Sequence, residues 1–218
     1  MPILSRIKFF AAAVPCLAAL MSFAGTGGPD SYGYIWRDAA SGGPAYSWIE
    51  IKSTGTDFNV GDDTLGATQN LGFTFNYYGT AYTQVQLSSN GWLALGNAAT
   101  GATYTNASIP ASAVPNAVVA GFWDDLTGET SANNDGEMYY QSFGTYAVIE
   151  WDDLRIVGGT ARKTFQVILY NDHRIVVQYK TVNAGGDNAA CSVGIENSAG
   201  TVGLECLENG SAAAGFSM

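Results

Sequence analysis

The chain has 218 residues, of which 19 are acidic, 9 are basic and one is histidine, giving a formal net charge of −10. This charge makes nucleic acid and anionic membrane surfaces poor partners, because binding to phosphate groups needs clustered Lys and Arg. An acidic surface is instead compatible with divalent cations.

The first 24 residues have the pattern of a secretory signal peptide. Arg6 and Lys8 form its basic region, residues 9–21 form its apolar region, and Ala24 precedes the expected cleavage site. The apolar region is shorter than the roughly 20 residues that a membrane-spanning helix needs. We therefore predict a secreted or cell-surface protein with no membrane insertion after cleavage. Removal of 24 of the 218 residues leaves 194, and loss of two basic residues lowers the charge from −10 to −12.

The rest of the chain has the residue pattern of β-strands. Leu71, Phe73 and Phe75 alternate with small or polar residues, which is the period of a half-buried strand. Turn residues recur about every 8–15 positions, which is typical of a sandwich or barrel. We predict a single-domain, all-β fold over residues 25–207, an antiparallel, jelly-roll-like β-sandwich, followed by a C-terminal tail over 208–218. Its strands are predicted at residues 46–51, 72–76, 84–88, 92–95, 118–123, 137–143, 146–151, 164–170, 175–180, 192–196 and 201–205.

The connections between these strands are the predicted binding elements. Asn90-Gly91 predicts a two-residue hairpin turn, since both positions of that turn need positive φ. Residues 97–114 and 126–136 are rich in small and polar residues and are predicted as long surface loops. Loops on a rigid β scaffold commonly carry function, so we expect binding through them. The candidate contact residues are Tyr104, Tyr77, Tyr78 and Asn134.

Two cysteines remain after signal cleavage, Cys191 and Cys206. An even number of cysteines in a secreted protein indicates a disulfide. Residues 192–196 and 201–205 are predicted to pair across a four-residue loop, and this register places the two cysteines opposite each other. We therefore predict a disulfide between them, although a bulge at Gly200 would shift the register by one residue. The alternative is two separate buried thiols.

Seven segments between residues 28 and 205 carry a family resemblance. They are GPDSYGYIW (28–36), GPAYSWIEI (43–51), LGFTFNYYGTAYTQVQLSSNGWLALG (71–96), VAGFWDDL (119–126), YAVIEWDDL (146–154), TFQVILYNDHRIVVQYK (164–180) and SVGIENSAGTVGLE (192–205). Together they resemble a β-sandwich module of secreted bacterial proteins that is distantly similar to the extracellular nidogen-type domain. The most specific pieces are SSNGW at 88–92 and FWDDL at 122–126. The resemblance implies extracellular adhesion or interaction without a general catalytic role.

Side chains that commonly carry catalysis are sparse in this sequence. His173 lies at a predicted hairpin turn, where the imidazole of a Ser-His-Asp site would lack support. One histidine and two cysteines that are expected to pair are too few ligands for a transition-metal site of those residues. No nucleophile motif such as G-x-S-x-G occurs. We therefore expect that the protein is not an enzyme and requires no cofactor.

Acidic residues offer the one candidate metal site. Adjacent aspartates occur at 62–63, 124–125 and 152–153. Ca²⁺ binds carboxylate and carbonyl oxygens of loops, so we predict a calcium site at Asp124, Asp125 and Asp135. The alternatives are solvated aspartates at turns and strand ends, and a pair of carboxylates for glycoside hydrolysis.

These observations favour a secreted, non-catalytic interaction or adhesion module that binds an extracellular protein, a matrix or a polysaccharide. One alternative is a structural subunit of a surface layer or filament, self-assembling through unpaired edge strands. The other is a carbohydrate-active hydrolase.

Overall fold

The computed structural model describes residues 25–128, 136–182 and 191–210. The predicted signal peptide, 1–24, and residues 211–218 of the predicted tail lie outside these described residues. Within the described residues, no helix is long and apolar enough to cross a membrane.

Strands dominate the described residues, so the all-β prediction is confirmed. One short 3-10 helix spans Ala39–Ser41. The strands are β1 (Thr26–Gly27), β2 (Trp36–Arg37), β3 (Thr56–Phe58), β4 (Gln69–Tyr77), β5 (Thr80–Ser88), β6 (Trp92–Leu95), β7 (Val118–Trp123), β8 (Leu126–Thr127), β9 (Glu137–Ser142), β10 (Tyr146–Ile156), β11 (Arg162–Tyr170), β12 (Ile175–Val182), β13 (Cys191–Glu196) and β14 (Gly203–Gly210).

Two antiparallel sheets form the predicted β-sandwich. Sheet I has the order β12-β11-β10-β9-β3, with β8 also paired to β10. Sheet II has the order β14-β13-β7-β6-β5-β4. Most neighbouring strands are consecutive in sequence, so hairpins build most of each sheet. A separate ribbon of β1 and β2 precedes the sandwich.

The main core lies between the two sheets, where alternate residues of each strand point inward. Trp151 of β10 stacks on Phe165 of β11 with ring centroids 4.8 Å apart. Tyr179 of β12 is also fully buried, and its hydroxyl donates to the carbonyl oxygen of Gly121 in β7 at 2.6 Å. This bond joins sheet I to sheet II through the core and satisfies a polar group that burial would otherwise leave without a partner.

Residues 97–114, predicted as a surface loop, cover the outer face of sheet II. They lie over a second apolar cluster that contains Trp92 and Trp123. Both indole nitrogens donate to the carbonyl oxygen of Thr103 at 3.0 Å. Apolar side chains therefore occupy both faces of these strands, and the loop excludes water from the outer one.

The strand predicted at 46–51 is absent, because that segment crosses the outer face of sheet I instead of pairing with a neighbouring strand. The amide of Gln178 accepts from the Ser47 N–H at 2.6 Å and donates to the Ser47 carbonyl at 2.9 Å. One side chain thus replaces the backbone partner that a strand would have. Ile51 of the segment packs in a third apolar cluster on this face, with Val148 and Ile168.

The two-residue turn predicted at Asn90-Gly91 is wrong. Ser88 pairs with Trp92, so the connection has three residues, and only Gly91 of the predicted pair has positive φ, at 77°. The two-residue turn occurs instead at Tyr78-Gly79, where both residues have positive φ, at 47° and 78°.

The predicted disulfide is also not formed, and Cys191 and Cys206 are both thiols. Glu196 pairs with Gly203, so the loop between β13 and β14 has six residues and not four. Together with bulges in β13, this loop moves Cys191 opposite Gly210. β14 itself continues to Gly210, so the first three residues of the predicted tail belong to a strand.

Candidate functional site

The connection between β5 and β6 is the centre of the candidate site. It contains the SSNGW motif, and its residues 88–92 are all buried. A Cβ atom on Gly91 would lie 1.8 Å from the carbonyl oxygen of Phe122, so only glycine allows this close approach of β7. The Gly91 carbonyl in turn accepts from the Gly121 and Phe122 N–H groups, both at 3.0 Å.

The Asn90 side chain joins three separate segments of the chain. Its Nδ2 donates to Asp63 Oδ1 at 2.8 Å and to the Ala102 carbonyl at 2.9 Å. Its Oδ1 accepts from the Leu126 N–H at 2.8 Å. Asn90 is fully buried, so these bonds compensate for the cost of removing its amide from water. They hold residues 62–63, 102 and 124–126 in one rigid arrangement.

Three carboxylates converge beside Asn90. Oxygen atoms of Asp62, Asp63 and Asp125 lie within 4.8 Å of one another. Two hydrogen bonds between Thr64 and Ser89 position the first two, because Ser89 N donates to the Thr64 carbonyl at 2.8 Å and Thr64 N donates to Ser89 Oγ at 2.9 Å. Oxygens on opposite sides of a calcium ion are about 4.6–5.2 Å apart, so this spacing suits Ca²⁺.

The electrostatics of these carboxylates follow from burial and mutual repulsion. Burial raises the pKa of Asp125, and the charges of Asp62, Asp63 and Asp124 raise it further. Each of these effects disfavours the charged form of Asp125. A bound cation would relieve the repulsion, so calcium binding and proton loss at Asp125 would favour each other.

Asp124 precedes Asp125 in the chain and is only 6% exposed. Its Oδ1 accepts from the Asp125 N–H at 2.9 Å, whereas its Oδ2 has no hydrogen-bond partner among the described residues. Burial raises the pKa of Asp124, and the charge of Lys163 opposes that rise. A buried carboxylate oxygen without a partner is rare in folded proteins.

Lys163 is a residue of this region that the sequence reasoning missed. It is fully buried in β11, with its Nζ 5.4 Å from the ring centroid of Phe122. Its only sequence signal is its place directly before the strand predicted at 164–170. Asp62 and Asp63 were recognised as paired acids, but only the structure places them with Asp125.

Tyr104 extends the site along the loop that covers sheet II. It is 50% exposed and follows Thr103, whose carbonyl anchors Trp92 and Trp123. The neighbouring Ala102 carbonyl shares the Asn90 amide with Asp63. We use the name acidic rim for Asp62, Asp63, Asp125 and Tyr104.

The other predicted contact residues do not join the acidic rim. Tyr77 is 1% exposed and belongs to the main core, where its hydroxyl donates to the Val118 carbonyl at 2.6 Å. Tyr78 lies in the turn before β5, at the end of that strand opposite Ser88, and its hydroxyl donates to Asp30 Oδ2 at 2.7 Å. Asn134 and Asp135 lie outside the described residues.

Comparisons with known proteins place the chain in a family without naming a partner. The family model described as NIDO related matches residues 38–217, which is most of the chain. No curated protein and no solved structure matches the chain.

Proposed function

The chain belongs to the NIDO-related family, and from this membership we propose that it acts outside the cell as a secreted, non-catalytic interaction module. Domains of this family are typically extracellular. The signal-peptide pattern of residues 1–24 supports export. Mass spectrometry of the exported protein should give Gly25 as its first residue, whereas retention of Met1 would contradict cleavage.

The observation that carries the proposal is the fixed position of the acidic rim. Asn90 and the carbonyl of Thr103 hold three loops in place before any partner arrives. A surface that is already ordered loses little conformational entropy on binding, which favours affinity. The exposed Tyr104 offers an aromatic anchor beside polar groups, a combination common at binding surfaces. The partner would be an extracellular protein, a matrix or a polysaccharide.

Calcium binding at Asp62, Asp63 and Asp125 is the second part of the proposal. The 4.8 Å spacing of the carboxylate oxygens among the described residues supports it. Calcium would neutralise mutual repulsion and leave coordination positions for an anionic group or sugar hydroxyls of the partner. No other cofactor is part of the proposal.

Three hydrogen bonds at the edge strand β4 weigh against the alternative of a self-assembling filament subunit. Side chains from β9 and from the turn between β11 and β12 occupy backbone groups of β4, which would otherwise pair with another chain. Tyr140 donates to the Asn70 carbonyl at 2.7 Å, and Ser142 donates to the Leu71 carbonyl. The Asn76 N–H donates to Nδ1 of His173 at 3.2 Å, so the one histidine of the chain also serves this edge.

Binding to surfaces coated with matrix proteins and to an array of polysaccharides tests the interaction. The exported protein should bind in calcium and lose binding in EDTA. Tyr104→Ala should weaken binding at least tenfold, whereas Tyr32→Ala is the matched control, because Tyr32 is similarly exposed at 55% and lies in another segment. An equal loss of binding in both variants would contradict binding at the acidic rim. Release of sugar from the array would contradict a non-catalytic function.

Titration with calcium tests the metal separately. Millimolar Ca²⁺ should raise the melting temperature, because a ligand that binds only the folded state stabilises it by about 2.7 kcal/mol at one hundred times its Kd. Asp125→Asn should abolish this increase, and Asp172→Asn, a carboxylate at another turn, should preserve it. An unchanged melting temperature in the unaltered protein would exclude a structural calcium site.

A further inference from the structure

A cavity of about 570 Å³ opens between the two sheets at the side where β12 and β14 lie. It shares no residue with the acidic rim. Its volume falls within the range of pockets that hold small molecules. Its walls come from both sheets and from the segment that follows β1. The apolar side chains that line it include Tyr34, Trp36, Val177, Val193, Leu204 and Cys206.

The β1–β2 ribbon and the residues after it form one wall of this cavity and are held in place by two aspartates. Asp38 is fully buried, and its carboxylate accepts from Gly25 N at 2.6 Å and from Ser41 N at 2.7 Å. Asp30 Oδ1 accepts three backbone N–H groups, including that of Tyr34 at 2.9 Å. These hydrogen bonds therefore hold this wall of the cavity in a defined position.

Apolar contacts attach the ribbon to the sandwich. The Tyr34 ring packs against Tyr78 with centroids 4.7 Å apart. Ile35, which also lines the cavity, remains 53% exposed. An isoleucine this exposed at the border of an apolar cavity loses contact with water when a ligand covers it, which favours binding.

Two positive charges lie at this cavity. Arg37 and Arg174 line it, although the chain has only 9 Lys and Arg residues and a net charge of −10. The Arg37 side chain is exposed and makes no hydrogen bond within the described residues. Arg174 uses its Nε for Asp172 at 2.8 Å and stacks over Tyr170, which leaves further donors of the guanidinium for a ligand.

We propose that this cavity binds a small amphipathic anion. The apolar chain or ring of the ligand occupies the space between the sheets, and its carboxylate, sulfonate or phosphate group pairs with Arg37 and Arg174. Arginine suits this role because its planar guanidinium makes two parallel hydrogen bonds to such groups. The site is independent of the proposed interaction at the acidic rim.

Competition among ligands of equal length tests the chemistry. The full exported chain is incubated with the fluorescent probe 1-anilinonaphthalene-8-sulfonate, which is itself an amphipathic anion. Decanoate, decyl phosphate, decanol and decyltrimethylammonium then compete with it. We expect the two anions to displace the probe at concentrations at least tenfold lower than the alcohol or the cation. The more effective anion identifies which head group the cavity prefers. Equal displacement by decanol would overturn the proposal.

Charge reversal and fluorescence quenching locate the site. Arg37→Glu combined with Arg174→Glu should weaken decanoate binding at least tenfold, whereas Lys52→Glu, an exposed basic residue elsewhere on the protein, should not. A brominated decanoate should quench the fluorescence of Trp36, the tryptophan that lines the cavity. Trp36→Phe should abolish that quenching while calorimetry still detects binding. Quenching that persists in Trp36→Phe, or unchanged affinity after charge reversal, would place the ligand elsewhere and refute the site.

Discussion

Asn90 Nδ2 lies 2.8 Å from Asp63 Oδ1, so a fully buried amide fixes a carboxylate of the acidic rim. The same side chain also bonds the loop over sheet II and the segment after β7. The SSNGW segment therefore forms a turn and also connects three other segments of the chain through hydrogen bonds. Its contacts explain why loops from distant parts of the sequence form one surface.

We expect Asn90→Ala to lower the free energy of unfolding by roughly 3–5 kcal/mol, because it removes one partly buried and two buried hydrogen bonds and leaves the Ala102 carbonyl and the Leu126 N–H without a replacement partner. Urea denaturation measures the change. Asn70→Ala is the control, since Asn70 is exposed and accepts a single side-chain bond from Gln84. Its cost should stay below about 1 kcal/mol. Similar costs for the two variants would contradict the central role of Asn90.

Gly91→Ala and Gly144→Ala compare two glycines of nearly equal φ, at 77° and 79°. The new methyl group at 91 would meet the Phe122 carbonyl, whereas at 144 nothing lies within 4 Å. Gly144→Ala should cost about 1–2 kcal/mol from backbone strain alone. Gly91→Ala should cost at least roughly 2 kcal/mol more, or prevent folding. Thermal unfolding, monitored by circular dichroism, measures the stability of each variant. Equal melting temperatures would show that β7 can move away from residue 91 to make room for the methyl group.

Glu150 on the outer face of sheet I should make stability depend on pH. It is fully buried, pairs across the strands with Gln166, and neither of its oxygens has a hydrogen-bond partner among the described residues. Burial, reinforced by the charges of Glu50 and Asp152, raises its pKa to about 8. The unfolded chain loses this proton near pH 4.5, but the folded chain keeps it until about pH 8. Stability therefore falls as pH rises through this interval.

Glu150→Gln removes that dependence. The variant should match the unaltered protein below pH 4.5 and exceed its stability by up to roughly 5 kcal/mol above pH 8, since each pKa unit corresponds to about 1.4 kcal/mol. Asp172→Asn is a control of opposite sign, because a bond from Arg174 lowers the pKa of Asp172. Melting temperatures between pH 4 and pH 9 test both variants. A constant difference across that range would show that Glu150 is not the titrating group.

The two cysteines should react as free thiols. Cys206 is largely shielded, and burial raises its pKa to about 12, so iodoacetamide should modify it slowly in the folded protein at pH 8. After denaturation without reductant, two thiols per mature chain should react. Reductant should leave the melting temperature unchanged. Fewer than two thiols in the denatured protein would show that a disulfide forms after all.

Local sequence patterns predicted much of the fold correctly, because alternation of apolar and polar residues reports which strand face is buried. β6 and β7 begin and end where the sequence predicted. The segment at 46–51 has the same alternation, yet it lies across a sheet and is held by Gln178. Alternation indicates a buried face but cannot tell whether backbone groups pair with a strand or with a side chain.

The fold class, the acidic charge and the paired aspartates can all be read from the sequence, since they depend on composition or on near neighbours. The meeting of Asp62 and Asp63 with Asp125, the burial of Tyr77 and the position of Cys191 opposite Gly210 appear only in the folded chain. These outcomes depend on loop lengths, bulges and the packing of distant strands. A change of two residues in one loop moves every cross-strand partner, and no local pattern records that change.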